Sequence, residues 1–155
     1  MMNKILVAVD RSNPATHAID VAVELAQELG AQLAAVHVVD ASVAFLPESG
    51  AIEPKKMAEL RHAGTLSLDD ARARIPDTLQ FECILIEGDP AEGIIATAEN
   101  WGADLIVIGN DSRGRLAHFL LGSTADSVIR KAPCPVISVR AKVPAAVREM
   151  VAAIA

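Results

Sequence analysis

The sequence predicts an α/β domain: an open, five-stranded parallel sheet with helices on both faces. Three observations predict it. Runs of strand length rich in branched aliphatic residues occur at Lys4–Val9, Gln32–Val39, Leu79–Glu87, Leu105–Ile108 and Val136–Val139. They are nearly continuous apolar runs, as strands covered on both faces are. Segments of helical periodicity separate them, and that alternation calls for right-handed crossovers between parallel strands. Composition agrees: of 155 residues, 52% are hydrophobic and only 3% aromatic, which suits a core of Ala, Val, Leu and Ile.

Each element has local grounds. Strand one ends at Asp10, and Ser12-Asn13-Pro14 is a helix start: a capping side chain, then a proline whose missing N–H costs nothing there. Ile19, Val23, Ala26 and Leu29 recur at helical spacing, and Gly30 closes that helix. After strand two, residues 40–54 read as a loop containing Pro47 and Gly50. Lys55–Ile75 reads as a helix, although Gly64 interrupts a mixed pattern, and Pro76 ends it. Strand three leads into the turn Gly88-Asp89-Pro90 and a helix over Ala91–Trp101, with Ile94, Ile95 and Ala98 on one face and Gly102 after it. A helix over Ser123–Lys131 turns Ala125, Val128 and Ile129 inward, and Pro133-Cys134-Pro135 stops it before strand five. Two units result, an α/β domain over residues 1–141 and a C-terminal helical tail over 142–155. In the tail, Val147, Met150, Val151 and Ile154 form one apolar stripe, which either docks on the chain's own surface or caps a partner.

Charge narrows the partners. The formal net charge is −6 and no Lys/Arg block exists, so a polyphosphate backbone is a poor match and no nucleic acid partner is expected. No apolar stretch reaches membrane-spanning length, so no membrane partner is expected either. Two cysteines make no disulfide framework, and Met1-Met2-Asn3-Lys4 resembles no signal peptide; a cytoplasmic location is the expectation.

The residues around strand four carry the functional signal. Ala103-Asp104-Leu105-Ile106-Val107-Ile108-Gly109 is a strand ending on glycine, and Gly122-Ser123-Thr124-Ala125 opens the next helix. Free N–H groups and two hydroxyls at a helix N-terminus suit an anion, and the helix dipole adds to them. A phosphate is the obvious candidate, hence a nucleotide. Asp111, inside the intervening loop, opposes this by charge.

Taken together, these segments resemble the universal stress protein family. The resemblance rests on Ile5-Leu6-Val7-Ala8-Val9-Asp10, His37-Val38-Val39-Asp40, Gly88-Asp89-Pro90, the strand ending at Gly109, Leu121-Gly122-Ser123-Thr124-Ala125, and Ala132-Pro133-Cys134-Pro135-Val136. It implies a sheet in the strand order 3-2-1-4-5 and a homodimer through strand five. One branch of the family binds ATP through the pattern G-x2-G-x9-G-[ST]. Gly109, Gly122 and Ser123 match it, whereas Ser112 stands at the middle glycine.

By that resemblance Ala8, Val9 and Asp10 line the start of a cleft, with Asp10 near the ribose or a Mg²⁺ ion. Val38 would pair its backbone with the adenine edge, and Ile108 and Gly109 would lie under the ribose and phosphates. Ser112, Gly122, Ser123, Thr124 and Ala125 would hold the phosphates. Arg113 and Arg115, or a Mg²⁺ bridge, would offset Asp111. The residues leave structural readings open beside these: a helix-capping acid for Asp10, and ordinary N-capping for Ser123 and Thr124.

Other signals lead elsewhere and fall short. Residues 109–114 have the glycine spacing of a phosphate-binding P-loop, but Arg115-Leu116 follows where Lys and Ser/Thr are needed. The four histidines show no metal spacing; His37 reads as a packed core or cleft residue. No acid, base and nucleophile are specified together, so no enzymatic turnover is expected beyond incidental ATP hydrolysis. The expectation is an ATP- or AMP-binding sensor or regulator of a stress response. The alternative is a protein of the same fold that binds no nucleotide and acts as a dimeric interaction module, through the dimer surface or the tail.

Overall fold

The computed structural model describes residues 1–110, 123–141 and 144–154. Five strands form one parallel sheet: β1 (Lys4–Ala8), β2 (Gln32–Val39), β5 (Phe81–Glu87), β6 (Leu105–Gly109) and β7 (Val136–Val139). Their order is β5-β2-β1-β6-β7. Numbered without the small hairpin described below, this is the expected 3-2-1-4-5. β1 is central, in register with β2 from Lys4↔Gln32 to Ala8↔Val36 and with β6 from Ile5↔Leu105 to Val7↔Val107.

The continuous apolar runs serve both faces. Ile5, Val7, Leu33, Ala35, Leu105 and Val107 point to one side. There they pack against α1 (Asn13–Leu29) and α2 (Pro54–Ala73). Leu6, Ala8, Ala34, Val36, Ile106 and Ile108 point to the other, against α3 (Pro90–Trp101) and α4 (Ser123–Lys131). Alternate side chains on opposite faces, with both faces covered, are what make the strands apolar throughout. On α1 the buried face is largely alanine (Ala15, Ala18, Ala22, Ala26), which brings that helix close to the sheet.

Local chemistry sets the helix ends. Ser12 caps α1 by accepting from the Ala15 N–H at 3.3 Å, and Gly30 ends it in the left-handed region at φ 63°. Asp89 caps α3 by accepting from the Glu92 N–H at 3.0 Å. Asp104 Oδ2 accepts from the N–H groups of Asn3 and Lys4 at 2.8 and 3.0 Å, pinning the start of β1 beside β6. Arg74 forms a two-pronged pair with Asp20 at 3.0 and 3.1 Å, tying the end of α2 to α1.

Four expectations need correction. Residues 40–54 are not a plain loop: a 3₁₀ turn at Ala41–Ala44 leads into an antiparallel hairpin, β3 (Phe45–Leu46) with β4 (Ala51–Ile52). The hairpin turn closes with the Gly50 N–H on the Leu46 carbonyl at 2.9 Å. Strand three begins at Phe81 rather than Leu79, because the Leu79 N–H bonds the Pro76 carbonyl in a turn. Ile129 does not point inward: Ala125 and Val128 are buried, but Ile129 is 48% exposed. α4 lies over the edge strand β7 and against α3, so among the described residues no further strand lies beneath its outer flank. The tail helix α5 (Ala145–Ile154) buries none of its residues, so its apolar stripe is not docked on the chain's own surface.

The glycine that interrupted the second helical pattern has a packing role. A Cβ on Gly64 would lie 2.7 Å from His37 Cδ2 and 2.9 Å from Leu85 Cδ1. α2 therefore crosses β2 and β5 so closely here that a Cβ would have to displace the His37 ring and the Leu85 methyl.

Candidate functional site

A cleft of about 340 Å³ opens beyond the carboxyl ends of the central strands. β1 contributes Ala8, continued by Val9 and Asp10; β2 contributes Val36, His37 and Val38; β6 contributes Ile108 and Gly109. Three helix starts complete the wall: Ser12, Pro14 and Ala15 at α1, Pro90 at α3, and Thr124 and Ala125 at α4. In open parallel sheets this is where ligands sit, because strands diverge there and helix N-termini converge. Each N-terminus adds a fraction of positive charge, which favours an anion, although no Lys or Arg is among the described lining residues. Among the described lining residues Asp10, Ser12, His37 and Thr124 carry polar side chains and the rest are apolar, and the volume fits a small organic ligand.

Eight of the residues expected at the site line this cleft: Ala8, Val9, Asp10, Val38, Ile108, Gly109, Thr124 and Ala125. Asp111, Ser112 and Gly122 lie outside the described residues. Ser123 is the first residue of α4, and its side chain also lies outside the description. Asp10 is exposed, and its Oδ1 accepts from the Ser12 N–H at 2.7 Å. It thus shapes the turn into α1, while Ser12 is the capping residue. Among the described residues Asp10 has no further hydrogen-bond partner, and no group of three or more His, Cys, Asp or Glu gathers to hold a metal. A magnesium ion could take only this one carboxylate from the described chain and would draw its other ligands from phosphate and water, a usual arrangement for Mg²⁺.

Gly109 has a purpose of its own. A Cβ there would lie 2.5 Å from the Pro14 carbonyl carbon and 2.6 Å from the Ala15 nitrogen. The end of β6 therefore touches the backbone of the first turn of α1. This contact brings two cleft walls together whatever the cleft holds.

Sequence reasoning left out Ser12, Pro14, Ala15, Val36, Ile94 and Pro90 as lining residues. The signal for three of them, Ser12, Pro14 and Pro90, was present, since the helix starts at Ser12-Asn13-Pro14 and Gly88-Asp89-Pro90 both follow strand ends. His37 had two readings, core or cleft, and it serves both: it lines the cleft, and its ring packs beneath Gly64. Its Nδ1 lies 2.8 Å from the Val9 carbonyl oxygen. A carbonyl only accepts, so Nδ1 carries the proton.

Comparison with known proteins agrees with this architecture. The family model described as "Universal stress protein family" matches residues 1–140. The universal stress protein YxiE of Bacillus subtilis is 33% identical over 150 residues, covering 90% of this chain and all of that protein. The structure of UspA from Lactobacillus plantarum superposes with a TM-score of 0.74 at 30% identity, over 90% of this chain and 98% of that one. A universal stress protein from Archaeoglobus fulgidus, solved in complex with dAMP, superposes with a TM-score of 0.60 at 25% identity, over 90% of this chain and 98% of that one. With its sheet order, its cleft and a match spanning nearly its whole length, this chain belongs to the universal stress protein family.

Proposed function

We propose that the cleft binds an adenine nucleotide, ATP or AMP, and that the protein acts as a sensor or regulator rather than as a catalyst. The observation that carries this reading is the convergence of three helix N-termini on a largely apolar cleft at the ends of β1, β2 and β6. Apolar walls suit a base and ribose, and the helix starts suit phosphate. The dAMP complex of the A. fulgidus relative supports the same class of ligand. Mg²⁺ would enter with the phosphates, with Asp10 as its protein ligand.

Among the described lining residues there is one imidazole, His37, whose Nδ1–H donates to a backbone carbonyl, and no cysteine; this supports a binding rather than a catalytic reading. A nucleotide held without turnover can report its concentration by stabilising the bound form. The reading further places the protein in the cytoplasm as a homodimer through the β7 edge, with the tail open to a protein partner.

The test is direct. Freshly purified protein is heat-denatured and the released small molecules are identified by chromatography; ligand-free protein is then titrated calorimetrically with ATP or AMP, with and without Mg²⁺. Released adenine nucleotide, or saturable binding near one per chain, is expected. Neither would leave the fold as an interaction module. Multiple turnover to a defined product would refute the non-catalytic assignment.

A further inference from the structure

His37 does more than line the cleft. β1 and β2 pair in register up to Ala8↔Val36, and the last ladder bond runs from the Val9 N–H to the Val36 carbonyl at 2.9 Å. In a regular parallel ladder the next bond would run from the Val38 N–H to the Val9 carbonyl. That bond is not made. The Val9 carbonyl instead lies 2.8 Å from His37 Nδ1 and accepts its N–H. Val38 follows Val36 by two residues, so its N–H turns to the same side, toward β1, where the strands part and the cleft begins.

We propose that His37 is a positioning residue: its Nδ1–H takes the Val9 carbonyl out of the sheet ladder and so leaves the Val38 backbone to the base edge of the ligand. The inference rests on the nucleotide reading above for the identity of that ligand. The ring reaches this position because α2 carries no side chain over it. A Cβ at Gly64 would stand 2.7 Å from His37 Cδ2 and 3.2 Å from Nε2. The missing side chain on one helix thus sets the availability of a main-chain group in the cleft. A backbone amide that is wet in the free protein and paired in the complex strengthens binding, whereas one already consumed by the sheet contributes nothing.

Three variants test this: His37→Leu, which removes the donor; His37→Asn, whose amide nitrogen stands where Nδ1 stood; and Gly64→Ala, which displaces the ring. Each is measured in two ways. One is amide hydrogen exchange at Val38 in the ligand-free protein, followed by NMR; the other is affinity for AMP by calorimetry. In the wild type the Val38 amide exchanges much faster than that of Val9, which sits in the ladder. In His37→Leu it becomes protected as the Val9 carbonyl turns to it, and AMP affinity falls roughly three- to tenfold, the loss of one hydrogen bond. His37→Asn restores fast exchange and affinity, which a purely packing role would not do. Gly64→Ala follows His37→Leu in both measurements and keeps the test open if the leucine variant does not fold.

Val38 exchange unchanged in both His37→Leu and Gly64→Ala would overturn the proposal, as would protection at Val38 in the ligand-free wild type. If the wild type binds no nucleotide, the nucleotide reading fails. The exchange measurements still decide whether His37 opens the ladder.

Discussion

Gly109 offers the sharpest perturbation of the site's framework. In Gly109→Ala the new Cβ would meet the Pro14 carbonyl carbon at 2.5 Å, the Ala15 nitrogen at 2.6 Å and the Pro14 oxygen at 2.8 Å. Carbon contacts are comfortable at about 3.5–4.0 Å, so roughly 1 Å must be found. The opposing atoms are backbone and cannot rotate away. The first turn of α1 is fixed by the Ser12 cap, and its Ala15 and Ala18 are buried on the sheet. The strain therefore falls at the upper end of the usual overpacking cost, about 2–3 kcal/mol. For a domain of this size each kcal/mol lowers Tm by about 2–4 °C, which gives a drop of roughly 4–12 °C. Gly93→Ala is the control. Its Cβ would also meet atoms at 2.9–3.0 Å, but these are methyl groups of Val38 and Ile86, which can shift, and alanine returns up to about 1 kcal/mol of helix propensity. Urea titrations of both variants give the comparison. Equal stabilities, or Gly109→Ala within about 0.5 kcal/mol of wild type, would show that α1 does not bear on the end of β6.

Two further predictions concern charge and the tail. Arg61 hydrogen-bonds Glu87 and holds that carboxyl below its ordinary value. A lowered folded-state value stabilises above the unfolded glutamate range and loses its contribution as the pH falls through the folded value; Glu87→Gln should therefore be less stable than wild type at pH 7, with the gap closing in acid. A gap that persists or widens in acid contradicts the pairing. Removing residues 144–155 deletes a helix with no buried residue, so stability should change by less than about 0.5 kcal/mol and AMP affinity should not change. A large loss in urea would mean that α5 packs on the domain after all.

The layout of the sheet was readable because its strands are covered on both faces, which makes each a run of apolar residues that composition alone reveals. The helix starts were readable for a different reason: Ser12 and Asp89 each precede a proline, and each does cap a helix. What could not be read was set by spatial neighbours. The hairpin of Phe45–Leu46 and Ala51–Ile52 has two-residue strands, too short for any period to appear. Ile129 follows the apolar spacing of its helix but lies off the flank of an edge strand, and position in the sheet is not written into four residues of pattern. Gly64 looked like a flaw in a helix because the His37 ring beneath it is twenty-seven residues away in the chain. The cleft residues that the family motifs carry were legible by resemblance, whereas Ser12, Pro90 and Ile94 enter the cleft only through the crossovers that bring three helix starts to one side of the sheet.

We propose that the ends of β1, β2 and β6 and the start of α4 hold an adenine nucleotide. The measurement that bears on it most directly is an NMR titration of the ¹⁵N-labelled protein with AMP. Saturable shifts are expected, centred on Asp10, Val38, Gly109, Thr124 and Ala125, with residues at the opposite end of the sheet, such as Lys4 and Gln32, left in place. No shifts at millimolar AMP, or shifts clustered away from those residues, would contradict it.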